Sequence, residues 1–184
     1  MVPPEVDLKE YGNVGIIHFG SNFEGKLGEF VTQKFLEEIS ISQKGARIIE
    51  LGNEIEVLES VQRDKMDPEA IQAIGRKYDV NAIIMGDLEI SNIEPKVSIL
   101  SVIKHMGARV EVEASINAKL LETDDGAVIW TDSARDKKKV AHVSIFSGNT
   151  VHFDAKNPEE IYGDITESLI EEVTADLRVK YRRM

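Results

Sequence analysis

Residues that could do chemistry are few in this chain. It has no cysteine, so it offers no thiolate nucleophile, no disulfide and no cysteine metal ligand. No two histidines stand at an HxxxH or HExxH spacing. His18 falls within an apolar run and is interpreted as a core histidine. His142 and His152 flank a predicted turn, where they form either a solvated pair or a weak metal site that lacks a third ligand.

The carboxylates and glycines form no catalytic pattern either. Glu111 and Glu113 share one face of a predicted strand, without apolar surroundings to give them different acidities, so a polar strand face is the favoured interpretation. The stretch GSNFEGKLG, residues 20–28, has neither a G-x-G-x-x-G nor a Walker lysine pattern, and nucleotide binding is rejected. We predict no enzyme, cofactor or metal site. The open alternative is a hydrolase or ligand-binding enzyme with its site among Glu111, Glu113 and His105.

Charge and hydropathy exclude several classes of partner. The 184-residue chain has a formal net charge of −11, which opposes binding to nucleic acid or to an anionic membrane surface. No apolar run approaches the roughly 18 to 20 residues of a membrane-spanning helix. Met1 is followed by VPPEVDLKEY, which is not a signal peptide. The length suits one domain with a sizeable core.

Hydrophobic periodicity predicts alternating strands and helices in the first half of the chain. Residue 67 is predicted to cap a helix whose first position is Pro68. The predicted strands are Asn13–Gly20, Ala46–Leu51 and Asn81–Ser91, and the predicted helices are Gly25–Ser40, Glu54–Val61 and Asp67–Val80.

The second half begins with a hairpin. From Arg109 apolar and polar residues alternate strictly up to Leu120, which is typical of an antiparallel strand with one wet face. The stretch TDDG ends in Gly126, which is free to take a positive φ in the turn. The return strand, residues 127–139, carries Trp130, the only tryptophan, which we expect to cover the sheet or a helix joint.

Two irregular segments and a last helix complete the prediction. The segments are Asn92–Ala108 and Val140–Ala155, and the helix begins at Pro158 with an apolar stripe that ends at Leu177. Basic residues gather at the end of this helix, where the helix dipole favours cations: Arg178, Lys180, Arg182 and Arg183. The predicted fold is α/β (α+β), a mixed sheet with a long antiparallel hairpin packed by three to four helices. Residues 1–12 are an extended leader and residues 13–184 a single domain.

The order of these motifs resembles a family. NVGIIHFG, LGEFVTQKFLEEI, ARIIEL, PEAIQAIGRKYDVNAIIMGDL and LLETDDGAVIW follow one another as in the curli-secretion (CsgG-like) lipoproteins. The N-terminal domain of TolB and the penicillin-binding-protein activator lipoproteins look like relatives of the same fold. The resemblance covers residues 6–178, and the matching positions are Gly75, Ala82, Gly86, Asp124, Gly126 and Trp130.

The resemblance implies an envelope lipoprotein. Such a protein is held at the outer membrane, on its periplasmic side, through a lipidated cysteine, which here would lie upstream of Met1. The stretch VPPEVDL then looks like the spacer after that cysteine. If Met1 is the natural start, the alternative is a cytoplasmic regulatory subunit.

The chain departs from the curli channel at the two irregular segments. In the channel the positions that correspond to Asn92–Ala108 and Lys137–Ala155 hold membrane-inserted hairpins. Here these stretches are short and interrupted by polar residues, whereas a membrane strand needs about 9 to 11 residues. We therefore predict no pore. The function predicted is non-catalytic assembly or secretion, by self-association into a homo-oligomer or by docking to another envelope protein. An exposed apolar patch commonly marks an interaction site, and the predicted interaction residues are Ile99, Val102, Ile103, Val143, Ile145, Phe146 and Phe153.

Overall fold

A single mixed sheet organises the chain. The computed structural model describes residues 3–22, 26–94, 108–146, 150–153 and 158–179. The strands are β1 (Asn13–Ile17), β2 (Gly20–Ser21), β3 (Arg47–Gly52), β4 (Ala82–Glu94), β5 (Ala108–Glu122), β6 (Val128–Phe146) and β7 (Thr150–Phe153). The helices are α1 (Leu27–Ser42), α2 (Glu54–Ser60), α3 (Pro68–Tyr78) and α4 (Pro158–Val173). The predicted fold class is confirmed.

The strand order is β3-β1-β4-β5-β6-β7, with the short β2 also paired to β4. One half of the sheet is parallel: β1 pairs with β3 and with β4, and β2 pairs with β4. The other half is antiparallel and consists of the pairs β4–β5, β5–β6 and β6–β7. The parallel half is built from β-α-β crossovers, and the antiparallel half is a meander. The sheet therefore joins two kinds of architecture at β4.

Helices cover both faces of the sheet: α1 and α4 lie on one face, with α4 against β5 and β6, and α2 and α3 lie on the other face of the parallel half. Phe35 of α1 and Leu169 of α4 belong to one apolar cluster with the sheet, and Ile71 of α3 belongs to a second cluster on the other face. Within β4, Ile84 faces the first cluster and Ile83 the second. A strand buried on both faces reads as a continuous apolar run, as AIIM does here.

Beyond Gly86 the second helical layer stops. Leu88 and Ile90 remain buried on the α1/α4 side, while Asp87 and Glu89, which alternate with them, are exposed on the other side. The sequence changes there from a continuous apolar run to strict alternation, as expected of a sheet with one solvated face. This change defines where the outer face of the sheet becomes open.

Phe19 follows β1 by two residues and packs between α1 and β4. Its ring packs 5.1 Å, centroid to centroid, from that of Phe35, and its amide donates to Thr32 Oγ1 at 2.8 Å. A Cβ on Gly28 would lie 2.2 Å from the Phe19 carbonyl oxygen, and one on Gly86 would lie 2.5 Å from the Phe19 ring. Both positions must therefore be glycine for α1 and β4 to approach this residue.

Local signals placed two helices well. Asp67 accepts a hydrogen bond from the amide of Ala70 at 2.9 Å, as predicted for the cap of α3. That bond, together with the nearby cation of Lys65, lowers the pKa of the Asp67 carboxyl. In α4 the predicted apolar stripe is buried at Ile165, Leu169 and Val173. The helix ends at Val173, before the predicted Leu177, which is buried in the 3₁₀ turn Ala175–Leu177.

Two predicted segments differ from the structure. The leader, predicted to be extended, forms a 3₁₀ turn at Leu8–Tyr11, because Asp7 caps the turn and Leu8 is buried. The segment 140–155, predicted to be irregular, instead continues β6 to Phe146 and includes β7. Its polar residues hid the strand pattern. The division into a leader and one domain remains a prediction.

The hairpin turn rests on the first turn of α3. Gly126 has φ +78°, and a Cβ there would lie 2.8 Å from the Cα of Pro68. Trp130 is 8% exposed, pairs in register with Leu120, and belongs to the apolar cluster shared with α1 and α4.

Replacing Gly126 with alanine should therefore destabilise the protein by about 1 to 3 kcal/mol, through the positive φ and the contact with Pro68. Gly20→Ala is the matched control, since its Cβ would meet atoms at 3.7 Å or more. Urea unfolding followed by Trp130 emission measures both variants. Equal midpoints would contradict the role assigned to this turn.

Candidate functional site

The antiparallel strands are much longer than the helices that cover them. β6 has 19 residues and β5 has 15, about 60 and 50 Å at about 3.3 Å per residue. The 16 residues of α4 span about 24 Å at 1.5 Å per residue. One helix of that length cannot cover the strands from end to end. We call the part of β5, β6 and β7 farthest from the Gly126 turn the distal arm (Ala108–Val110, Val140–Phe146 and Thr150–Phe153).

A polar surface lies on the outer side of the sheet, where the α2/α3 layer is absent. We call it the open face. Strands β4, β5 and β6 place their residues there in register, so that Glu89 pairs with Ser115 and Ser115 with Arg135. The open face consists of Asp87, Glu89, Ser91, Glu113, Ser115, Asn117, Lys119, Thr131, Ser133, Arg135 and Lys137.

Charge is unevenly distributed over the open face. β4 contributes the exposed carboxylates of Asp87 and Glu89, and β6 contributes the cations of Arg135 and Lys137. Between them Glu113, 11% exposed, lies 2.8 Å from Lys137 Nζ through Oε2 and 3.6 Å from Arg135 Nη1 through Oε1. The face is therefore acidic along one strand and basic along another.

A shallow concavity of about 320 Å³ lies on this face. Its lining consists of hydroxyl, amide and charged side chains, including Glu89, Asn117 and Arg135. Asn117 Nδ2 also donates to Asp87 Oδ2 at 3.1 Å. Among the described residues no group of three histidine or acidic side chains could hold a metal ion. The arrangement suits polar recognition of another surface.

The distal arm contains four of the predicted interaction residues. Val143 pairs with Phe153, Ile145 pairs with Val151, and Phe146 pairs with Thr150. Sequence reasoning placed these residues in irregular structure, whereas they form a β6–β7 hairpin. Ile99, Val102 and Ile103 fall outside the described residues. The assignment of all seven to an interface stays a prediction.

The candidate chemical residues have other structural roles. His18, predicted to be a core histidine, is partly exposed just after β1, and its Nε2 lies 2.7 Å from Glu50 Oε1. His152 pairs in register with Ser144, two residues from His142, so the two histidines are not register partners. Glu113 is engaged by two cations and is not simply solvated.

Sequence reasoning missed the open face. Its signal was present in β4, where AIIMG gives way to DLEIS at residue 87. That pattern shows where one face becomes polar, but it does not identify the strands on either side.

No helix in the described part of the chain is long and apolar enough to cross a membrane. The chain matches no protein-family model. No curated protein matches it either.

Solved structures share the fold. The PelC dodecamer from Paraburkholderia phytofirmans aligns at a TM-score of 0.53 and 12% identity, over 98% of this chain and 96% of that one. The hypothetical protein CT253 from Chlamydia trachomatis aligns at 0.51 and 12% identity, over 90% and 94% of the two chains. At such low identity the similarity is one of fold.

The Glu113 cluster should contribute measurably to stability. Glu113→Gln should cost about 1 to 2 kcal/mol, because a largely buried carboxylate loses two charged partners. The control is Glu37→Gln, whose exposed carboxylate lies 3.1 Å from Lys34 and should change stability by less than about 0.5 kcal/mol. Urea unfolding at low and high salt measures both. A loss no larger than that of the control would contradict the cluster's structural role.

Proposed function

We propose that this protein is a non-catalytic assembly domain of the bacterial envelope, which self-associates or docks to a partner through the distal arm and the open face. The proposal rests on one observation: β5 and β6 are much longer than the helix that packs on them, α4. Strands that outrun their helical cover present sheet surface to another molecule or to solvent.

The open face supports an assembly role. A surface with carboxylates along β4 and cations along β6 favours a partner with the opposite arrangement, and a second copy has both rows. Such charge patterns fix orientation and register more than they add affinity. The distal arm, with its predicted apolar residues, then supplies the area that becomes buried.

The fold similarity is compatible with this role. The PelC structure is a dodecamer, so a protein with the same fold forms an oligomer. We extend to this chain the oligomeric character and not the number of subunits.

The proposed location follows the resemblance to CsgG-like lipoproteins. In this proposal the domain lies on the periplasmic side of the outer membrane, attached by a lipid on a cysteine upstream of residue 1. The amide of Glu5 donates to the carbonyl of Asp176 at 2.8 Å, and the Leu8 amide donates to Gln43 Oε1. The tether would thus leave the domain before Glu5.

Self-association is tested by light scattering on the wild type and on the double variant Ile99→Asp, Phe146→Asp. We expect the wild type to form a homo-oligomer and the double variant a smaller species, because buried carboxylates would disfavour an apolar contact. Val128→Asp is the control, since Val128 is 57% exposed on β6 beside the Gly126 turn.

A wild type that is monomeric at high concentration, with a double variant that still binds envelope partners, would contradict the proposal. An effect of Val128→Asp equal to that of the double variant would show that the arm is not the contact.

A further inference from the structure

A second surface lies in the parallel half of the sheet, at the carboxyl ends of β1 and β3. β1 is followed by α1 on one face of the sheet, and β3 is followed by α2 and α3 on the other face. Adjacent parallel strands whose connections diverge in this way leave a crevice at their carboxyl ends, which is the usual ligand position in open α/β sheets. We call this crevice the switch groove.

The switch groove has a volume of about 490 Å³ and an acidic lining. Residues 18–21 follow β1, Gly28 and Glu29 begin α1, and residues 53–56 begin α2. Its carboxylates are those of Glu29, Glu54 and Glu56, all on exposed residues, and its described lining contains no lysine or arginine. His18 is paired with a further carboxylate, that of Glu50. The groove therefore favours a cationic occupant.

The groove also offers an apolar contact. Ile55, in its lining, is 69% exposed, the most exposed of the large hydrophobic side chains in the described chain. An occupant that carries both cations and an apolar or aromatic side chain would match this combination.

The chain's own C-terminal segment has that composition. Residues 180–184 read KYRRM, with Lys180, Arg182 and Arg183 around Tyr181. The other dense basic run, residues 135–139, is already in use, since Arg135 and Lys137 contact Glu113, and Lys138 contacts Asp136.

The segment starts too far from the groove of its own chain. Gln43 Nε2 donates to the carbonyl of Leu177 at 2.7 Å, so the described chain ends near the C-terminus of α1. The groove lies at the N-terminus of α1, 14 residues away at Glu29, which is about 21 Å along a helix. Lys180, Arg182 and Arg183 are three, five and six residues beyond Leu177, so their Cα atoms reach at most about 10, 17 and 20 Å when the chain is fully extended. Only Arg183 could then come near the groove of its own chain, and the segment as a whole could not occupy it.

We propose that the switch groove binds the basic C-terminal segment, residues 180–184, of a second copy of this chain. The inference rests on the self-association proposed above and assigns it a direction. The groove lies at the N-terminus of α1, and Leu177, from which the segment continues, lies near its C-terminus. Each copy would therefore contribute its groove to one neighbour and its segment to another. Repetition of such a heterologous contact produces a ring if it closes and a filament if it does not.

A labelled peptide of residues 179–184 tests the contact by fluorescence anisotropy, independently of the distal arm. Its receptor is the variant Lys180→Gln, Arg182→Gln, Arg183→Gln, whose own segment can no longer compete. Adding Glu29→Gln, Glu54→Gln and Glu56→Gln should weaken binding by at least about tenfold. The matched control neutralises three exposed carboxylates outside the groove, with Glu37→Gln, Glu59→Gln and Glu69→Gln, and should bind as the receptor does. Trp130 emission verifies that each variant is folded.

The second measurement is the mass of the segment variant by light scattering, which should be lower than that of the wild type. Absent peptide binding, or equal binding to the groove and control variants, would overturn the inference and leave self-association through the arm intact. Specific peptide binding with an unchanged mass would place the segment in its own groove and overturn the contact between copies. A monomeric wild type that still binds the peptide would refute self-association and with it this contact.

Discussion

The insertion of Phe19 between α1 and β4 is the contact on which the arrangement of both surfaces depends. Its ring packs on Phe35, its amide is held by Thr32, and two glycines clear the space around it. Thr32 Oγ1 in turn donates to the carbonyl of Gly28, so the first turn of α1 is tied to the end of β1. A side chain at Gly28 or Gly86 would meet backbone oxygen atoms at 2.2 Å, which leaves no room for adjustment. This packing ends β1 early and sets the position of α1.

The same contact makes β4 the boundary of the fold. Gly86 lies between a segment buried on both faces and one buried on a single face. Before it, β4 belongs to the three-layer parallel half, whose strand ends form the switch groove. After it, β4 belongs to the antiparallel meander, whose uncovered side is the open face. The close approach of the β4 backbone at Gly86 to the ring of Phe19 therefore lies between the switch groove and the open face.

Sequence patterns identified the elements whose burial is set locally. Asp67 and Pro68 located the start of α3, and the spacing of Ile165, Leu169 and Val173 located the buried side of α4. The hairpin around Gly126 was also recognisable, because alternation and turn chemistry are properties of neighbouring residues.

Features that depend on distant residues were not predictable in this way. The leader was expected to be extended because it contains Pro3 and Pro4. Its 3₁₀ turn instead packs on Gln43, which bonds Leu8, Val6 and Leu177. The end of β6 was missed because residues 137–139 are all lysine, and strand pairing with β7 decides the conformation there. The open face required knowledge of which helices cover which strands.

Trp130 anchors the long β5–β6 hairpin at the end nearest its turn. Within the described residues its indole N–H has no hydrogen-bond partner, a cost of about 1 to 3 kcal/mol. Burying an aromatic side chain of this size removes roughly 150 to 250 Å² from water, about 4 to 6 kcal/mol at 25 cal/mol per Å². The balance favours burial, so Trp130 fixes the root of the hairpin to the helical layer, while Gly126 rests against Pro68 on the other side. Because the root is held from both sides, the direction in which β5 and β6 leave the turn is set by its contacts with the two helical layers.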